Sequence, residues 1–153
     1  SGLEWRETYE GDSPTTSSVI AMLYGEGRDD MARFVSSQPR RAPAGTVYQY
    51  SSGDTTLLAS VVQAAMAHHG PDFPWTLLFE PLGMSTVVWE RAPAATLVGS
   101  SYVYASPQDM ARLGYLFLND GCWAGERLLP AGWVESSVTV NKPMRQRALD
   151  HRL

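Results

Sequence analysis

Between Leu57 and Met66 the chain carries its most regular rhythm. Leu57, Leu58, Val61, Val62, Ala65 and Met66 recur at the i, i+3, i+4 spacing of a helix face. Ala59, Ala64 and Ala67 leave little polar surface, so this helix is expected to be buried over much of its circumference. Such a helix must be covered by other elements, and the rest of the chain offers few strands to do it. A domain of 153 residues so poor in strands is expected to be mainly α with short β pieces, either a bundle or the helical part of something larger.

Punctuation divides the remainder. Residues 1–13 are polar and aromatic without periodicity. Ser13-Pro14 reads as an N-cap with proline at the first helical position, ahead of Val19, Ile20, Met22 and Leu23. Asp29 or Asp30 starts a second helix bearing Met31, Phe34 and Val35, and Pro39 ends it. Val47 and Tyr48 are extended by propensity, after which Ser51 or Ser52 can cap the long helix. Gly70-Pro71 terminates that helix, and Phe73 to Phe79 is a short aromatic helix closed by Pro81. Leu82-Gly83-Met84 is a turn, and Thr86 to Trp89 is strand-like. Ser106-Pro107-Gln108-Asp109 is a capping box opening a helix that runs to Gly121. Trp123 to Arg127 reads as a turn between short extended pieces, and Pro130 opens a last helix with Trp133 and Val134. The expected division is residues 1–140 as one helical portion and 141–153 as a polar tail or the start of a further segment.

Several function classes are disfavoured at once. The net charge of -4 is spread without long runs, which gives no footprint for nucleic acid or an anionic membrane. No apolar run approaches membrane-spanning length. Cys122 is the only cysteine, so no internal disulfide is expected. His68 and His69 are adjacent and His151 is remote, which is not a metal-ligand spacing; no metal and no cofactor is expected. There is no phosphate loop and no Gly-x-Ser-x-Gly elbow. The chain opens at Ser1-Gly2-Leu3 without a Met or a signal-like start, which reads as a processed, trimmed or fragmentary chain.

What remains is Tyr50-Ser51-Ser52 at the start of the long helix. A phenol with a pKa near ~10 is a poor base at neutral pH. It becomes useful beside a cation that stabilises the phenolate, or within a hydrogen-bonded relay. On the residues alone, a cap followed by a core tyrosine and a piece of a proton-handling site both fit.

Pro43-Ala44-Gly45-Thr46 followed by Tyr50-Ser51-Ser52-Gly53 and Leu57-Leu58 resembles the second motif of the serine β-lactamase and penicillin-binding-protein superfamily. The nearest branch is class C-like, with the family VIII esterases and 6-aminohexanoate-dimer hydrolase. Three further segments agree in order. Ser1-Gly2-Leu3 resembles the segment after the nucleophile helix, and Glu80-Pro81-Leu82-Gly83-Met84 the family's PLGM turn. Ser106 to Gly121, then Trp123 to Trp133, is similar to the stretch that follows it. The resemblance implies the helical region of an α+β β-lactamase/transpeptidase-like fold, with the main antiparallel sheet largely missing from this chain. It implies a serine hydrolase that attacks amide, ester or β-lactam bonds of small molecules through an acyl-enzyme. Tyr50 would be the second-motif tyrosine and Ser52 would stand where the motif carries Asn or Ser. Trp5 and Ser100 match positions on the substrate side of the cleft in the amide hydrolase.

The departures are as specific as the matches. Ser-x-x-Lys is absent: Lys142 is the only lysine, and Thr139 lies three before it. The third motif, Lys-Thr-Gly or His-x-Gly on a core strand, is absent too; His68-His69-Gly70 ends a helix instead. The chain alone is therefore expected to be inactive, and the alternative is a non-catalytic binding or scaffolding module of the same fold. The resemblance fits the bacterial periplasm and the cytoplasm equally, and says nothing of oligomeric state.

Overall fold

The structure, a computed structural model, describes residues 1–9 and 16–140. It is mainly helical, with two short two-stranded sheets. Its contacts divide it into two compact units. The first comprises residues 1–65 and 89–102, the second residues 66–88 and 103–140. The expected tail from Asn141 lies outside the described residues.

In the first unit, helices α1 (Ser18–Tyr24) and α2 (Met31–Ser36) pack against each other and against the longer α3 (Ser52–Ala65). Ser13 and Pro14 lie outside the described residues; the described cap of α1 is Ser17, whose Oγ accepts from Ile20 N–H at 3.3 Å. Asp30 caps α2 by accepting from Arg33 N–H at 3.0 Å. Trp5, Val19, Met22, Met31, Val35, Ala92 and Val98 form the core, with Leu57 and Phe34 packed against it. The segment 89–102 returns on itself through the Arg91–Leu97 bridge. Gln63 clips it to α3: its Nε2 donates to the Ala95 carbonyl at 3.0 Å and its Oε1 accepts from Leu97 N–H at 2.7 Å.

Val47 and Tyr48, extended by propensity, pair with no strand, and their stretch is a lead-in to α3. One expectation fails here: α3 is not buried over most of its circumference. Its buried residues are the small ones, Ser52, Gly53 and Thr56, while Leu58, Val61 and Val62 are 59%, 57% and 40% exposed. Close approach through small side chains gives this helix a narrow contact stripe and leaves its larger apolar residues outside it.

In the second unit a 3₁₀ turn at Ala67–His69 is followed by a π-helical turn at Trp75–Phe79. Glu80 N–H there reaches back five residues to the Trp75 carbonyl at 2.9 Å, beside Pro74, which has no N–H to give a regular helix. The PLGM segment makes the expected turn, with Leu82 and Met84 buried. Strand β1 (Val88–Trp89) straddles the unit boundary, and β2 (Val103–Tyr104) leads to helix α4 (Pro107–Leu118). Ser106 caps α4 as expected, accepting from Asp109 N–H at 3.2 Å with Pro107 at N1. The reciprocal half of the capping box is not made. Asp109, 1% exposed, instead accepts from the Thr86 amide at 2.8 Å, the Thr86 hydroxyl at 2.6 Å and Arg112. Strands β3 (Cys122–Trp123) and β4 (Glu126–Arg127) make the expected hairpin. Helix α5 (Trp133–Val138) starts three residues after Pro130, capped by Gly132.

Candidate functional site

All four residues singled out from the sequence, Trp5, Tyr50, Ser52 and Ser100, lie in the first unit. Three of them are joined through intermediaries at the N-terminus of α3. The centre of that arrangement is Glu7, which the sequence reading did not single out. Its Oε2 accepts from the Trp5 indole Nε1–H at 2.5 Å and from the Ser52 amide at 3.0 Å. Its Oε1 accepts from the Tyr9 hydroxyl at 2.7 Å and from the Ser52 hydroxyl. A carboxylate placed at a helix N-terminus meets an unpaired first-turn N–H and the positive end of the helix dipole.

The electrostatics follow from those bonds. Burial pushes the Glu7 carboxyl up, but the Ser52 hydroxyl and amide, then Tyr9 and Trp5, together outweigh it and hold it below the usual carboxylate range. Tyr9 moves the other way. Donating to the Glu7 anion raises its phenol, and partial burial adds to the effect.

Ser51 is the cap of α3, its Oγ accepting from Asp54 N–H at 3.0 Å. Of the two candidate caps, Ser52 is thus engaged elsewhere. Ser52 is 3% exposed, and its carbonyl accepts from the Thr56 hydroxyl at 2.9 Å. That hydroxyl also lies 3.4 Å from Ser100 Oγ. Ser100 can sit this close because Gly99 abuts α3: a Cβ on Gly99 would stand 2.3 Å from the Thr55 carbonyl oxygen. Trp5 packs flat on the same helix start, where a Cβ on Gly53 would meet its ring at 2.6 Å.

Tyr50 is placed differently. It is 62% exposed, so the reading of it as a core tyrosine is overturned. A cleft of about 250 Å³ opens beside it, lined by Trp5, Arg41, Gln49, Ser51 and Asp54 among others. Neither Tyr50 nor Ser52 lines that cleft. The chain around Tyr50 is nonetheless anchored on both sides, by the Gln49 side chain, whose Nε2 donates to the Trp5 carbonyl at 2.6 Å, and by the Ser52 backbone amide on Glu7.

Several of the polar groups in this cleft are already engaged: the Asp54 carboxylate pairs with the Ser1 amine at 3.1 Å and accepts from the Ser1 hydroxyl at 2.5 Å, and the Gln49 side chain donates to the Trp5 carbonyl. Among the described residues no three His, Cys, Asp or Glu side chains gather as a metal site, and no helix is long and apolar enough to cross a membrane. His68 and His69 lie with ring centroids 4.1 Å apart and the rings tilted by 44° at the end of the 3₁₀ turn. Glu7 and Tyr9, which the sequence reading passed over, had one local signal. They alternate with Trp5, which places three side chains on one side of an extended chain.

Known proteins place this arrangement in context. Residues 1–149 match the sequence model of the Beta-lactamase family. A 6-aminohexanoate-dimer hydrolase of Paenarthrobacter ureafaciens is 27% identical over 144 residues, covering 86% of this chain and 30% of the relative. A solved structure from Bacillus anthracis, provisionally named a 6-aminohexanoate-dimer hydrolase, superposes with a TM-score of 0.71 at 20% identity. It covers 92% of this chain and 39% of its own, so the two share a fold and this chain spans well under half the length of either protein. With the family model matched over residues 1–149, the chain belongs to the Beta-lactamase family.

Proposed function

We propose that this chain forms part of a serine hydrolase that opens amide, ester or β-lactam bonds through an acyl-enzyme, and that Tyr50 is its second-motif tyrosine. The observation that carries the reading is the family match over residues 1–149, within which Tyr50-Ser51-Ser52-Gly53 stands at the start of α3. In that role Tyr50 exchanges a proton with the attacking hydroxyl and the leaving group, in concert with a lysine. The exposure of Tyr50 leaves its hydroxyl accessible to such partners. Trp5 and Ser100 contribute to the substrate side. Ser52 contributes through its hold on Glu7, since it is too buried to meet a substrate directly. The relatives' names make a linear amide the first substrate class to try.

These 153 residues contain neither Ser-x-x-Lys nor the third motif, so the chain by itself is inactive in this reading. The same observation supports a second reading, a non-catalytic binding module of the family. Labelling separates them. The full-length protein, treated with a fluorophosphonate or a labelled penicillin, should gain one covalent adduct. The absence of any adduct with either reagent would leave the binding-module reading standing and remove the first.

A further inference from the structure

We propose that Glu7 is the positioning residue of this site: its carboxylate fixes the backbone that carries Tyr50. The proposal rests on the second-motif reading of Tyr50 and deepens it. Four donors from three residues converge on one carboxylate, and each oxygen serves two of them. Ser52, two residues after Tyr50, is held at both its amide and its hydroxyl. Gln49, one residue before Tyr50, is held by the carbonyl of Trp5, whose indole is itself tied to Glu7. The ties bracketing Tyr50 therefore both run to residues 5–7. Each is more than 40 residues away in sequence, so local helix geometry cannot supply them.

A carboxylate suits this task and an amide does not. All four groups facing Glu7 are donors, and a carboxylate accepts at both oxygens. Glutamine at the same place would turn an N–H₂ group toward two of those donors. Aspartate would keep the charge and both acceptors but sit one methylene further back. Glu7 does not line the cleft itself, and its effect on chemistry runs chiefly through the placement of Tyr50, with the Trp5 indole held by the same carboxylate.

The experiment uses the full-length protein with Glu7→Gln, Glu7→Asp and Tyr50→Phe, and a p-nitrophenyl ester as substrate. Glu7→Gln should lower kcat about 10- to 100-fold with a smaller rise in KM, since the misplaced catalytic group is the main loss and the same carboxylate also holds the Trp5 indole. Glu7→Asp should restore part of that loss. With ¹⁵N-tyrosine labelling, the backbone order parameter at Tyr50 should fall from about 0.85 toward 0.6 in Glu7→Gln. A Tyr50 order parameter and kcat like wild type would overturn the proposal, as would a kcat that falls only in step with the folded fraction. Should Glu7→Gln not fold, Tyr9→Phe, which removes one donor from the carboxylate, is read by the same two measurements. Tyr50→Phe separates the two readings. Wild-type turnover in that variant removes the role of Tyr50, whereas the order parameter still reports on Glu7.

Discussion

Glu7 and Ser52 stand 45 residues apart in sequence, and the carboxylate of the first accepts both the amide and the hydroxyl of the second. This pairing joins the start of the chain to the start of α3. It also bears on stability. In Ser52→Ala the amide bond to Glu7 survives and the hydroxyl bond is lost. A hydrogen bond to a charged acceptor is worth about 1.5–3 kcal/mol, and the partial exposure of Glu7 places this one toward the lower end. Urea unfolding should show a loss of about 1–2 kcal/mol; an unchanged midpoint would show that the hydroxyl contributes nothing.

Stability should also fall in acid, with a sign fixed by two carboxylates. Glu7 is held low as described above. Asp109 is held low chiefly by the Thr86 hydroxyl and amide, against burial, with Arg112 adding to them. A carboxyl whose folded pKa lies below its unfolded value, near ~4.3 for Glu and ~3.9 for Asp, stabilises the fold above that unfolded value. The contribution disappears as pH falls through the depressed folded value. Denaturant midpoints should therefore be level above about pH 5 and drop below about pH 4. Asp109→Asn should flatten part of that drop, and an unaltered slope would count against Asp109 as a source.

Gly53→Ala sets two effects against each other. Alanine improves helix propensity by at most about 1 kcal/mol. The added methyl would stand 2.6 Å from the buried Trp5 ring, an overpacking that costs about 1–3 kcal/mol. The clash should win, lowering the unfolding midpoint and changing the Trp5 contribution to fluorescence. A more stable variant would show that the indole can move aside freely.

Gln63→Ala should release the segment 89–102. It removes the donor to the Ala95 carbonyl and leaves the amide of Leu97, a residue only 1% exposed, without its acceptor. The expected cost is about 1–3 kcal/mol, with hydrogen exchange at the Leu97 amide accelerated first. Protection at Leu97 equal to wild type would mean another group takes over.

Tyr50→Phe should separate folding from turnover. The residue is exposed, so its hydroxyl should change stability by no more than about 0.5 kcal/mol. If the phenol handles protons, turnover of the full-length protein should fall about 10²- to 10⁴-fold. A variant that matches wild type in both measurements would strip Tyr50 of its assigned part.

Local chemistry was the legible part of this chain. Asp30 and Ser106 cap their helices because a short oxygen-bearing side chain beside an apolar periodic run has few other uses. Gly83, Gly121 and Gly125 mark turns for the same kind of reason, each at positive φ. The character of α3 was misread because periodicity tells which residues share a face but not which face is covered. Its small residues make the contact, and Leu58 and Val61 do not. Asp109 looked like half of a capping box, yet its carboxylate goes to Thr86, 23 residues upstream. Glu7 is legible only in part. Alternation groups it with Trp5 and Tyr9, but no spacing rule links it to the two donors of Ser52, 45 residues away.

The pair of ties around Tyr50 has a consequence for conformational entropy. Ordering the backbone of one residue costs about 1–2 kcal/mol, and the anchors at the Gln49 side chain and the Ser52 amide reduce what remains of that cost at Tyr50. What stays exposed at Tyr50 is the side chain, two rotors between anchored neighbours. A partner that engages the phenol has chiefly those two torsions to arrest, so little of its binding energy is consumed in ordering the protein.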